Sequence, residues 1–324
     1  MRRRPSHALP LLAACLLFSL AARCAHAADG TFEQTFSVSG PVDLDAQTHS
    51  GNITVRTGAA GSVFVRGTIQ VRRRDASDAE SIVRQLQANP PLEQVGNAIH
   101  IRNIDEDLRR RVSISYEITT PAETTADAQT GSGNIDIGGI RGPVEANTGS
   151  GNIAVANVSG TTRTNTGSGN IDLSTIGAPS HARTGSGNIV ARAMTGDFSG
   201  GTGSGNVIID QASGGNVEMN SGSGNLEARG VRGSLNASTG SGGVTAEGEM
   251  TADWNLRTSS GSVHVSLPSE AAFTIEARSS SGSIEVNHPL TVQGRIGRRE
   301  VRGTVRGGGS LLAVSTSSGS IRID

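Results

Sequence analysis

From about residue 130 onward, apolar and polar residues alternate in short runs, and the same pattern returns about every 18 residues. Ile135 and Ile137 flank Asp136, while Val144, Ala146 and Thr148 flank Glu145 and Asn147. Ile140 stands between the two runs in a short glycine-bounded segment. Alternation of period two predicts strands with one buried face, here two per period. Ile153, Val155 and Val158 repeat the set, followed by Ile171, Leu173 and Ile176.

Between the two strands of each period lies Thr-Gly-Ser-Gly-Asn and then an aliphatic residue, starting at Thr130, Thr148, Thr166, Thr184 and Thr202. Degenerate copies begin at Ser221, Thr239, Thr258, Ser279 and Thr316. The second glycines fall at 133, 151, 169, 187, 205, 224, 242, 261, 282 and 319, in steps of 18 or 19 until a 21 and a final 37. A period this strict predicts stacked units. The expected fold is all-β: a single-stranded parallel β-solenoid of about 18 residues per coil, right-handed because parallel crossovers prefer that hand. Roughly ten coils at a strand spacing of about 4.8 Å make a rod on the order of 50 Å long. Glycine permits the reversal at each turn. Asn134, Asn152, Asn170, Asn188, Asn206 and Asn225 are expected to stack as a structural amide ladder.

Two other solenoids fail on spacing. A hexapeptide helix needs an aliphatic residue every six, but Ile135 is followed at that interval by Arg141 and Asn147. Calcium-binding nonapeptide rolls carry two Asp-bearing turns per 18 residues, whereas here there is one, with Asn in that place. An ice-binding array would need paired threonine columns, and only the Thr148, Thr166, Thr184 column is regular.

Residues 28–129 read as less regular β-structure, with strand-like runs at Asn52–Val55, Val63–Val65, Thr68–Val71 and Ile99–Ile101. His49-Ser50-Gly51-Asn52-Ile53 is an early copy of the turn. A helix is expected over 77–88, with Ser77 and Glu80 as a capping box, a stripe of Ile82, Val83 and Leu86, and a stop at Asn89-Pro90-Pro91. It would cover an open end of the solenoid. The 37-residue step holds Arg295, Arg298, Arg299, Arg302 and Arg306 among glycines. That segment is read as a solvated hairpin over the last coils, with an anionic-ligand loop as the sharper alternative. One continuous domain, 28–324, is expected, with the regular repeats over 130–324.

Residues 1–27 read as a signal peptide: Arg2 to Arg4, an apolar run over 8–22, and Ala25-His26-Ala27 as cleavage site. Lipidation at Cys15, after Leu12-Ala13-Ala14, is the rival. The run is shorter than the roughly 20 residues of a membrane span, and no later segment approaches that length. Cys15 and Cys24 both lie in this segment, so disulfides and cysteine–metal sites are not expected in the mature chain. Removing four Arg and no acid turns 28 basic and 29 acidic residues into a net charge of −5, which disfavours nucleic-acid binding. Aromatic residues make up only 2% of the chain, consistent with a thin core of Ile, Val, Ala and Thr that leaves little room for rings.

Catalytic motifs are absent, and His49, His100, His181, His264 and His288 share no ligand spacing. No catalytic residue, metal or cofactor is expected. The segment order resembles the DUF4097 putative-adhesin family of bacterial envelope proteins. The residues that carry the resemblance are Val42-Asp43-Leu44-Asp45, Ser50–Val55, the helix, Ser115–Pro121, the Gly-Ser-Gly-Asn-Ile turns and the terminal Ser318–Ile323. The family commonly has Asp where these turns carry Asn. The resemblance implies a β-helical exported protein and supplies no catalytic residues. The expected role is non-enzymatic: a binding, adhesin-like or structural module of the envelope, periplasmic or at the surface, with an envelope protein or glycan as partner. A periplasmic scaffold or envelope-stress component is the first alternative, and a carbohydrate-active β-helix enzyme the second.

Overall fold

The computed structural model describes residues 29–72, 78–292, 297 and 299–324. The expected signal peptide with Cys15 and Cys24, the expected cap residue Ser77, and Arg295 and Arg298 lie outside the described residues.

The chain begins β1 (Asp29–Ser37), β2 (Val42–Ser50), β3 (Ile53–Thr57), β4 (Ser62–Val71), α1 (Ala79–Ala88), β5 (Leu92–Val95), β6 (Ala98–Ile101), α2 (Glu106–Arg109) and β7 (Val112–Thr120). The repeats start with β8 (Thr124–Ser132), β9 (Ile135–Gly138), β10 (Val144–Ser150) and β11 (Ile153–Val158). From β8 on, each coil gives one strand to each of two sheets, of 14 and 15 strands among the described residues. β9, β11 and their successors form the first sheet, and β8, β10 and theirs the second; within the regular coils all pair in parallel.

Period-two alternation sends every second side chain of each strand into the space between the sheets. In the first sheet Ile135, Ile153, Ile171, Ile189, Val207 and Leu226 are successive Cα partners in one buried column. The second sheet answers with small residues, Ala128, Ala146, Thr164 and Ala182, also buried. Large against small keeps the core thin and fills it. Rings are nonetheless admitted where a neighbour gives way. Phe198 is buried because Gly200, next inward on its strand, leaves the room: a Cβ there would lie 2.7 Å from the ring. Trp254 is fully buried and donates its indole N–H to the Gly233 carbonyl at 2.9 Å.

The ends depart from simple stacking in chain order. The early copy of the turn lies directly on the regular stack, where Gly51 donates its N–H to Ser132 O at 3.0 Å. β2 and β3 therefore sit inside β6 and β7, which come later in the chain. At the other end, Leu311–Ser318 pairs on one side with Trp254–Ser260 and on the other with Phe273–Ser281. The last turn copy is thus the penultimate coil. Phe273–Ser281 must be outermost because it carries the hairpin of the late insertion: Glu300–Val305 pairs antiparallel with it, and Leu290–Val292 with that strand in turn. Antiparallel strands close the other end as well, β1 and β4 on the first sheet and β5 on the second.

Two of the predicted strands, Val63–Val65 and Thr68–Val71, are one strand, β4. Gly67 in its middle serves packing, since the Phe32 ring occupies the place a Cβ would take. α1 begins at Ala79 with Asp78 as N-cap, and no side chain caps it. Its stripe of Ile82, Val83 and Leu86 is buried over the end pair β1 and β4 rather than over the first regular coils. The four-residue α2 has no apolar stripe to announce it.

Candidate binding face

Each turn is held by three contacts to its neighbouring coils. The hydroxyls of Thr130, Thr148, Thr166, Thr184 and Thr202 donate to the carbonyls of Gly51, Gly133, Gly151, Gly169 and Gly187 at 2.9–3.1 Å. The second glycine then passes so close to the previous coil that a Cβ on Gly133, Gly151, Gly169 or Gly187 would lie 1.9–2.0 Å from its carbonyl oxygen. Last, the main-chain N–H of Asn134, Asn152, Asn170, Asn188, Asn206 and Asn225 donates to Oδ1 of the Asn one coil earlier at 2.8–2.9 Å. The column of six asparagines is a ladder of side-chain oxygens and main-chain N–H groups, not of amide against amide. It continues to Gly243 N–H at 2.8 Å, where the next coil offers no amide. The asparagine oxygens are thus engaged within the frame.

Of the described members of the arginine segment, Arg302 pairs with Glu300 at 3.0 Å, Arg306 donates to the Ser269 carbonyl at 3.1–3.2 Å, and Arg299 is exposed. Arg302 is met by a carboxylate and Arg306 by a carbonyl of its own chain, so these two form no common anion cradle.

A wide concavity lies elsewhere, on the outer face of the second sheet. A groove of about 650 Å³ runs across successive coils, its wall built by Gln129, Asn147, Asn165 and Arg183. These four are Cα partners in register, one per strand. The floor is the first glycine of each turn, Gly131, Gly149, Gly167 and Gly185, whose missing side chains make the depression, and His49 and Asn103 also line it. These residues were not among the candidate site positions. The signal was present as a polar side chain just before each turn threonine, at strict intervals of 18.

A second outward column fixes the wall. Asp127 accepts from Gln129 Nε2 at 3.2–3.3 Å, Glu145 accepts from Asn147 Nδ2 at 3.0 Å, and Asn147 Oδ1 accepts from Asn165 Nδ2 at 2.9 Å. Burial raises the Asp127 pKa above the usual carboxylate range; Glu145, Asp45 and Asp43 push it further up, and the Gln129 bond opposes them. The sheet face beside the groove thus carries two carboxylates, Asp127 and Glu145, on adjacent strands. Arg163 and His181 continue the same column beyond Glu145, and a second depression of about 460 Å³ lies over these charged residues.

Among the described residues no group of three or more His, Cys, Asp or Glu could hold a metal ion. No helix among them is long and apolar enough to cross a membrane.

No curated protein matches the sequence. A solved structure from Clostridium sporogenes, described as a "putative cell adhesion protein", aligns over 90% of this chain and 98% of its own. Its identity is 12% and its TM-score 0.19, too low to carry any argument. The model of the Toastrack family DUF4097 matches residues 144–324, more than half of the chain and most of its regular coils. By the repeats that build both sheets, the chain belongs to the Toastrack DUF4097 family.

Proposed function

We propose that this protein is an exported binding module of the bacterial envelope, and that its recognition surface is the outer face of the second sheet. The observation that carries the reading is the polar groove with one side chain per coil, presented by a frame whose coils are hydrogen-bonded turn to turn. A rigid frame loses little conformational entropy when it binds, so each polar contact in the groove counts more towards affinity. The basic n-region, apolar run and small-x-small site over residues 1–27 support export. The arrangement fits binding without chemistry, since the groove's carboxylate neighbours are engaged with amides rather than poised at a reacting centre.

The test is crosslinked capture from the native envelope with the mature chain and with Arg183→Ala, a change at an exposed side chain. Capture of a reproducible component that the variant loses supports the reading. Equal capture by both proteins rejects the groove as the recognition surface. Protease shaving of intact cells separates a surface site from a periplasmic one.

A further inference from the structure

The groove's wall repeats at the strand spacing, and this periodicity restricts what can lie in it. Gln129, Asn147, Asn165 and Arg183 stand in register on four successive strands, about 4.8 Å apart along the axis. A ligand that uses all four must offer a hydrogen-bonding group at the same interval. An extended peptide advances about 3.3 Å per residue, so its same-side groups come about every 6.6 Å. It slips out of step within two coils. A linear chain of β-1,4-linked pyranose rings advances by close to one strand spacing per ring; successive rings are turned over, but each carries hydroxyls on both edges, so a hydroxyl faces every coil across the groove.

The chemistry of the wall points the same way. The carboxylates of Asp127 and Glu145 take the amide hydrogens of Gln129 and Asn147, and Asn147 takes one from Asn165. Gln129 Oε1 and Asn165 Oδ1 are left with no protein donor among the described residues, so they call for hydroxyl or N-acetyl N–H donors. Arg183 has no acidic partner among the described residues and supplies the complementary donor at the end of the row. Asp127 and Glu145 disfavour anionic groups over the first two coils, and Arg163 continues their column beyond them. The side-chain-free floor at Gly149 and Gly167 lets a ring approach the backbone closely.

We infer that the groove binds a neutral, linear β-1,4-linked hexopyranose glycan laid along the solenoid axis, one ring per coil over four coils. This rests on the binding-module reading above and names its ligand class. The experiment is isothermal titration of the mature chain with chito- and cello-oligosaccharides of two to six rings. Affinity should climb with each ring up to four and then level off, because four coils form the wall. One hydrogen bond of about 1 kcal/mol corresponds to roughly fivefold in affinity. Arg183→Ala and Asn165→Ala should therefore each weaken hexaose binding about fivefold, with unchanged thermal unfolding for Arg183→Ala. Length-independent binding, absence of binding to both series, or variants that bind as the parent does would each overturn the inference. If the chain ignores both series while Arg183→Ala still loses its envelope partner in the capture experiment, the glycan is rejected and the binding module stands, with a protein segment as occupant. If neither assay responds to the groove, both fail.

Discussion

Replacing Thr166 by valine tests whether the turn hydroxyls hold the coils together. Thr166 is 6% exposed, and its Oγ1 donates to the Gly151 carbonyl at 2.9 Å. Valine keeps the shape and one methyl while adding another, so the transfer of apolar surface alone favours it slightly. The hydrogen bond opposes this, because the Gly151 carbonyl stays behind without its donor. A buried polar group left unmade costs about 1–3 kcal/mol, and we expect a net loss of about 1–2 kcal/mol. Serine is the informative comparison. It keeps the hydroxyl and gives up one methyl, about 0.8 kcal/mol if fully buried. The chain itself uses serine in this column, at Ser221 and Ser279, with the bond kept at 2.9 Å. Hydrophobicity ranks the variants Val, Thr, Ser; the hydrogen-bond argument ranks them Thr, Ser, Val. Urea unfolding followed by circular dichroism gives the order, provided the m-value is unchanged. Hydrogen exchange localises the loss, which in a stack of nearest-neighbour units should centre on the coils carrying Gly151 and Thr166. A Thr166→Val variant as stable as the parent, with equal protection at those coils, would refute the reasoning.

Gly169→Ala should be far worse than any change of turn side chain: its Cβ would lie 1.9 Å from the Gly151 carbonyl oxygen, and the loss should exceed about 3 kcal/mol. Gly201→Ala is its control, with nothing within 4 Å of the new Cβ, and should be neutral or slightly stabilising in the same unfolding assay. Thr175 is β-branched at φ 56°, and Thr175→Gly should raise stability by about 0.5–1 kcal/mol as relief of the left-handed penalty outweighs added chain entropy. A fall in stability would show the corner to be unstrained. Asp127 has its pKa raised in the fold, by burial first and by Glu145, Asp45 and Asp43 next. Its folded form therefore binds the proton more tightly than the unfolded chain, and stability drops as pH rises through that raised value. Asp127→Asn should gain on the parent at neutral pH and lose that advantage in acid, as read from melting temperatures at both; an equal offset at the two would sink the idea.

The regular coils were legible because each rule acted locally and then recurred. Alternation around Ile135 and Val144 gave the two strands, and the glycines at strict spacing gave the turn between them. What the turn threonines do was not legible. A hydroxyl directed at a glycine carbonyl one coil away looks, in the sequence, like any other polar residue of an alternating run. Comparing the copies among themselves recovers it: the position carries Thr or Ser in every one, whereas the Asn column gives way to Gly243, Ser262, Ser283 and Ser320. The Asn contact is replaceable because Ser262 Oγ can still accept from the Ser320 N–H at 3.3 Å. The hydroxyl and the second glycine have no such substitute.

The ends were illegible for a different reason. Nothing in the spacing of turn copies says that the last one lies inside the one before it. That order follows from which coil bears the antiparallel hairpin, a contact between Phe273–Ser281 and Glu300–Val305 that no period encodes. Its effect on the frame is general. A stack whose outermost units were also the last in the chain could fray one coil at a time from a free end. Here the coil of Leu311–Ser318 is held on both sides, by Trp254–Ser260 and by Phe273–Ser281. At the opposite end β2 is likewise held between β8 and β6. Loosening the last strands of the chain, or β2 near its start, therefore breaks two ladders at once, a cost that nearest-neighbour fraying of a simple solenoid does not carry. The same locking keeps the coils under the groove at fixed spacing, and fixed spacing is what lets four ordinary side chains, Gln129, Asn147, Asn165 and Arg183, act as one repeating surface.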